Sequence, residues 1–262
     1  MVTDRHQGPL RVLKSLYPEA PGICHNVLLH PPSGIVGGDR LELGVDVDHG
    51  AHALITTPGA TRFYFSRGRP ATQRVRLVLA AGARLEWLPL ETIVHSGAWA
   101  HNGVRLELAD GAEMIGWDVV ALGLPASGQP FDAGSHEQCI DWPGVWLERG
   151  RIAASDRMLL DSPAGLAGRR VLATAWFAAG SPIANTRREA LLDAARSAVS
   201  AVPQEALPLL CSGATAPQSR VVVLRALADS VEPAMHLLRS TWAAWRLLAW
   251  QLPAQPPRVW SV

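Results

Sequence analysis

Three short segments, Asp48-His49-Gly50-Ala51, Ala81-Gly82-Ala83 and Asp110-Gly111-Ala112, repeat one turn pattern, with their glycines 32 and 29 residues apart. Each turn separates an incoming from an outgoing segment in which apolar and polar residues alternate. Val75, Leu77 and Leu79 lead to Leu85 and Trp87; Val104, Leu106 and Leu108 lead to Met114, with Arg105 and Glu107 on the other face. Period-two alternation is the signature of a half-buried strand. Repeats of about thirty residues suggest stacked β units, either a solenoid-like coil or a chain of hairpins. Asp110-Gly111 taken alone favours a hairpin, so the stacking topology is left open at this stage.

Upstream of these repeats, His30-Pro31-Pro32-Ser33-Gly34-Ile35-Val36-Gly37-Gly38-Asp39 joins a stiff proline pair to a glycine turn that ends on a carboxylate. The prolines fix extended backbone, and Gly37-Gly38 permits positive φ or a close backbone approach. A strand follows, in which Leu41, Leu43, Val45 and Val47 alternate with Glu42, Gly44, Asp46 and Asp48. A phosphate-cradling glycine loop feeds a helix instead, and neither a Lys-Ser/Thr pair nor GxGxxG spacing is present, so a nucleotide site is excluded.

The 262 residues suffice for a sizeable core. A net charge of +1 and the absence of a basic stripe argue against nucleic acid. The chain is 48% hydrophobic and only 18% charged, which suggests apolar surface reserved for a partner. Cys24, Cys139 and Cys211 are odd in number and lack any CxxC pair, so neither a disulfide framework nor a structural zinc site is indicated, and a reducing cytoplasm is expected. No apolar run reaches the roughly 18 residues of a membrane span.

From about residue 125 the punctuation becomes Pro- and Gly-rich, with further strands expected at Gln138-Ile140, Val145-Leu147, Val171-Phe177 and Arg220-Leu227. Thr186-x-x-Glu189 reads as a capping box opening a helix that ends before Pro203, with Leu191, Ala195, Ala198 and Val202 as its stripe. Asp229 or Ser230 starts the longest helix, which tolerates Pro233 in its first turn. On it, Val231, Met235, Leu238, Trp242, Trp245, Leu248 and Leu252 recur at helical spacing, and Leu237, Ala244 and Trp250 widen the apolar arc. This arc is expected to pack in the core or, around Trp242, Trp245 and Trp250, to expose apolar area for a partner protein. Arg239 and Arg246 share one flank and argue against a membrane span. The expected architecture is mainly β: a single domain, with a stacked-strand body over about 1–180 and a mixed portion with two α-helices over about 181–262.

The ordered blocks HPPSGIVGGD (30–39), TTPGATRFY (56–64), LEWLPLETI (85–93) and GWDVVALGLPASGQPF (116–131), with the terminal Arg258-Val259-Trp260, resemble the urease accessory protein D family, UreD or UreH. The resemblance implies a β-helical body with late helices. It further implies a non-enzymatic scaffold that docks on apo-urease with accessory protein F and the accessory GTPase G, helping nickel reach the urease site without any tightly bound cofactor. Leu124 and Gln129 stand where many relatives have Arg and Glu, so no charged role carries over to them. By this resemblance Val2-Asp4 aligns after a leading strand that relatives usually have, which suggests a late or shortened start.

The acidic positions that the resemblance sets along an internal nickel route are Asp39, Asp118 and Glu148. Each has a local alternative: Asp39 as a cap of its own turn, Asp118 as a strand-edge solvent residue, Glu148 as a surface partner of Arg149 or Arg151. The Cys24-His25-His30 and His136/Cys139 groups are the metal-like Cys/His combinations, though a conduit needs weak oxygen sites more than a thiolate trap. Glu86 and Glu91 with His95 form the acid pair required by the competing β-helical carbohydrate-active enzyme. A generic protein-interaction module would need only an exposed apolar patch.

Overall fold

A computed structural model describes residues 4–19 and 22–261. The expectation about the start of the chain falls largely on residues 1–3, outside the described residues. In chain order the strands are β1 (Arg11–Val12), β2 (Ile23–Leu29), β3 (Arg40–Val47), β4 (His52–Thr56), β5 (Thr61–Phe63), β6 (Ala71–Leu79), β7 (Arg84–Leu88) and β8 (Thr92–Val94). They continue with β9 (Trp99–Leu108), β10 (Glu113–Leu124), β11 (Gln129–Pro130), β12 (Ser135–Trp142), β13 (Trp146–Ala153), β14 (Val171–Ala179), β15 (Leu210–Gln218) and β16 (Val221–Ala228). The α-helices are α1 (Arg157–Asp161), α2 (Asn185–Ser197) and α3 (Val231–Trp250).

The two strands flanking each Gly-Ala turn lie in different sheets, which decides between coil and hairpin. β3, β6, β9 and β12 pair in parallel, with β13 antiparallel at the edge. β2, β4, β7 and β10 pair in parallel in a second sheet, extended by antiparallel β14, β16 and β15. One coil is therefore a strand of the first sheet, a turn, and a strand of the second: a β-solenoid. Each turn closes in the same way, by Ala51 N to Asp48 O at 3.0 Å, Ala83 N to Ala80 O at 3.1 Å and Ala112 N to Ala109 O at 3.1 Å. Gly50, Gly82 and Gly111 occupy the third position at φ 66°, 67° and 71°, where a side chain is strained. The turns then stack, Gly50 N donating to Ala81 O at 3.2 Å and Gly82 N to Asp110 O at 3.4 Å.

At the opposite corner, Ile35, Phe63, Val94 and Leu122 form a fully buried ladder across consecutive coils. Both freedoms expected of Gly37-Gly38 are used: a Cβ on Gly37 would sit 2.2 Å from Ser66 O, and Gly38 has φ 99°. The solenoid interior is filled by Val75, Leu77, Leu79, Leu85, Trp87, Leu106, Met114 and Trp142, meeting Trp176 and Val223 of the antiparallel extension. Full burial of such side chains contributes roughly 1.5–3 kcal/mol each. The other face of the second sheet carries Leu54, Leu88, Ile115, Trp117 and Phe177, and there α2 and α3 pack.

Both long helices lie after residue 180, as the change of period suggests. Two local details differ. α2 begins at Asn185 with Ala184 at the cap and no side-chain cap bond, so Thr186 is already inside the first turn and the capping box does not form. A short helix, α1, was not anticipated; Asp156 caps it by accepting from Leu159 N at 3.0 Å. Among the described residues no helix is long and apolar enough to cross a membrane.

The Trp arc of α3 is internal, contrary to the expectation of a partner face. Trp242, Trp245 and Trp250 are buried, and each indole N–H has a partner within the chain: Glu86 Oε2 at 2.5 Å, Leu191 O at 2.8 Å and Glu113 Oε2 at 2.7 Å. The wide arc reflects contact with the sheet on one side and with α2 and Trp260 on the other. Leu247, 58% exposed, is the large apolar residue that α3 leaves to solvent.

Gly180, just after β14, ties the antiparallel extension to the last turn of the coil, donating to Ala112 O at 2.8 Å. A Cβ there would lie 1.8 Å from Ala109 O, a backbone atom that cannot swing aside. Gly180→Ala is expected to destabilise the fold by about 3 kcal/mol, the upper part of the overpacking range. Urea unfolding measures it, and a loss below about 0.5 kcal/mol, the scatter of ordinary surface substitutions, would show that the junction yields.

Candidate functional site

The inward faces of the first-sheet strands share a pattern: Gln73 precedes Val75, Leu77 and Leu79; Asn102 precedes Val104 and Leu106; Gln138 precedes Ile140 and Trp142. The register aligns Gln73 with Asn102 and Asn102 with Gln138, so the three amides form one polar row across an apolar interior. Opposite them on the second sheet, Asp118, Thr174 and Arg225 occupy a single rung of β10, β14 and β16. Side chains paired directly across strands share a face. Asp118 therefore points inward, and it is 9% exposed, where a solvent-facing strand-edge residue was the alternative.

The row is chained by hydrogen bonds: Gln73 Nε2 donates to Asn102 Oδ1 at 3.3 Å, and Asn102 Nδ2 to Asp118 Oδ1 at 3.1 Å. Towards the first coils, the row opens into a cavity of about 400 Å³ bounded by Gln73, Asn102 and Asp118 together with His30 and Ser33 of the proline-glycine loop and Thr57 to Arg62 of the TTPGATRFY block. Towards the last coil stands Glu148 on β13. It accepts from Arg225 Nε at 3.0 Å, from Arg225 Nη2, and from Thr174 Oγ1 at 3.5 Å, so its ionic partner is Arg225 and neither Arg149 nor Arg151.

Burial pushes the Asp118 carboxyl up to about 7; the Glu148 charge adds to this, while Gln138 and Asn102 oppose it. Its polar neighbours are two amides and an anion. At neutral pH such a carboxyl stands between its two protonation states, able to exchange a proton or meet a passing cation. One inward position before Gln138 on β12, His136 is 2% exposed and held down to about 4, chiefly by burial. The three amides were not singled out from the sequence, although the recurring amide at the start of each inward face is a readable signal; His136 was singled out only as a partner of Cys139.

Asp39 is not part of this row. Its Oδ2 accepts from Val36 N at 3.0 Å, closing its own turn, and it does not line the cavity. Cys24 and His25 are adjacent on β2 and so face opposite sides; His25 Nε2 lies 2.7 Å from Glu19 Oε1 and Cys24 accepts from Asn26 Nδ2 at 3.5 Å. His136 and Cys139 likewise fall on opposite faces of β12, because an i, i+3 pair converges on a helix but not on a strand. Among the described residues no group of three or more His, Cys, Asp or Glu could hold a metal ion.

Of the acid set of the enzyme alternative, Glu86 and His95 have separate partners. Glu86 is fully buried beneath α3, its Oε1 2.7 Å from His52 Nε2 and 3.5 Å from Arg246 Nε. His95 instead stacks on Tyr64 at 4.7 Å on the outer loops.

The class that this fold and site define is a β-solenoid whose interior carries a row of three amides meeting one buried carboxylate, Asp118. The family model described as UreD urease accessory protein matches residues 1–261, and the chain belongs to that family. It is 58% identical over 258 residues to a urease accessory protein UreD of Polaromonas naphthalenivorans (strain CJ2) and 57% identical over 258 residues to that of Variovorax paradoxus (strain S110). Each match covers 98% of this chain and 92% of the relative. The corresponding protein of Methylibium petroleiphilum is 57% identical over 267 residues, with 97% and 89% covered.

Proposed function

We propose that this urease accessory protein is a non-catalytic cytoplasmic scaffold that lets nickel pass through its solenoid interior towards apo-urease, working with urease accessory protein F and the accessory GTPase G. The observation that carries this reading is Asp118: a buried carboxylate with no cationic partner among the described residues, in a polar row between a half-open cavity and Glu148. Sparse oxygen ligands replace part of a divalent ion's water shell yet hold it weakly enough for release, which suits passage better than storage. Nickel is here the cargo, and the protein retains no metal of its own. Asp39, bonded within its own turn, is proposed to act on the route only through the shape of the loop that bears His30.

The test is co-expression with urease and the other accessory proteins, followed by metal analysis of the purified urease. Asp118→Ala and Glu148→Ala are expected to lower nickel per urease site severalfold while pull-down still recovers the accessory complex, and Asp39→Asn to have the smallest effect. Full activation by both variants would overturn the route. Loss of assembly would assign the two acids a structural role instead.

A further inference from the structure

His136 is the buried titratable group that neither the packing nor the route above uses. Among the described residues, neither of its ring nitrogens has a hydrogen-bond partner, nor do Nε2 and Oε1 of Gln138, two residues along the strand. Gln138 stands between His136 and Asp118, close enough for its amide to favour the charged form of each, yet aligned for a hydrogen bond with neither. A buried polar group without a partner costs roughly 1–3 kcal/mol, and His136 and Gln138, two apart on β12, present four such atoms from one face of the strand. An apolar residue at position 136, like Ala71 and Ala100 on the same rung, would avoid that cost.

We infer that His136 and Asp118, bridged by the Gln138 amide oxygen, form a transient binding station for a borderline divalent cation inside the solenoid. One neutral imidazole nitrogen and one carboxylate match the ligand preference of such ions, and the amide oxygen and water complete a weak shell. Burial keeps the imidazole unprotonated, so binding there displaces no proton from it. With only two ionisable ligands the site exchanges its ion, unlike a closed site of three or four. His95, whose Nε2 is also unpartnered, lies instead near the Arg62 charge, which repels cations. The station rests on the nickel-passage reading and names where along the route the ion pauses.

Equilibrium dialysis of the purified full chain against Ni²⁺ alone is the direct experiment, with Co²⁺ as the spectroscopic probe. Wild type is expected to bind one ion that His136→Leu and Asp118→Asn weaken by about tenfold or more, since losing even an outer-shell partner commonly costs that much. The exposed-residue control His49→Ala should bind as wild type does. The Co²⁺-loaded chain should show hyperfine-shifted imidazole protons that vanish in His136→Leu. Should His136→Leu fail to fold by circular dichroism, His136→Gln is measured in the same way. Absence of the site in wild type, or undiminished Ni²⁺ binding by the folded His136 variant, overturns the station. If the His136 variant binds normally while Asp118 and Glu148 variants starve urease, the station fails and the route stands. If the His136 variant loses Ni²⁺ while those two variants feed urease normally, the station stands and the route fails.

Discussion

Arg246→Met is expected to destabilise the chain by about 3–5 kcal/mol, the cost of leaving buried charges unpaired. Arg246 is fully buried on the inner side of α3, bonded through Nη2 to Glu19 Oε2 and 3.5 Å from Glu86 Oε1. His25 and His52 hydrogen-bond the same two carboxylates, each at 2.7 Å. Methionine keeps most of the stem volume, so the change isolates the loss of the guanidinium. The double variant Arg246→Met/Glu86→Gln, which also removes one stranded charge, is expected to recover a substantial part of the loss. Urea denaturation checks both. A single-variant effect below about 1 kcal/mol, the value of an exposed pair, would mean that the network is solvated. Because Glu19 belongs to the segment before β2, hydrogen exchange in β2 should accelerate in the single variant.

The second large effect is in pH dependence. Folding moves the Asp118 carboxyl from 3.8 up to about 7 and the His136 imidazole from 6.5 down to about 4. Between about pH 4 and 6.5 the folded chain therefore holds on Asp118 a proton that the unfolded chain carries on His136. The proton counts balance, and these two groups together leave wild-type stability nearly flat. Asp118→Asn removes one side of the balance. The unfolded state then binds the extra proton, and stability should rise with pH across that interval at up to about 1.4 kcal/mol per unit. His136→Leu removes the other side, and stability should fall from about pH 4 to 7 with a similar slope. The double variant should be flat again. Denaturation midpoints across pH 4–8 test this, and parallel profiles for both single variants would show that the two groups do not titrate as described.

The Gly-Ala echo by itself determined that three similar turns recur, because only glycine accepts the positive φ they need and because period-two alternation survives on either side of each. Likewise Gly37-Gly38, the longest helix from Ser230 and the strand at Val171 were legible from local backbone chemistry. The family could be read from four ordered blocks that span most of the chain. Which face each strand turns inward is also local, so the amides Gln73, Asn102 and Gln138 stood in the pattern as polar residues leading an apolar run.

Only the tertiary structure decided what meets across the interior. Glu19 and Arg246, or Glu148 and Arg225, are far apart in sequence, and their pairing is set by how the sheets close and where α3 lies. The same holds for Trp242, Trp245 and Trp250. A broad apolar arc specifies that a helix has two covered sides but not what covers them, and here α2, the sheet and Trp260 do so within one chain. Asp118 and Asp39 illustrate the remainder: both are acids in or beside strands, yet the register carries one into the buried polar row and leaves the other bonded to its own loop. Local sequence sets the direction of a side chain, whereas burial, the quantity that shifts its charge, depends on every strand stacked above it.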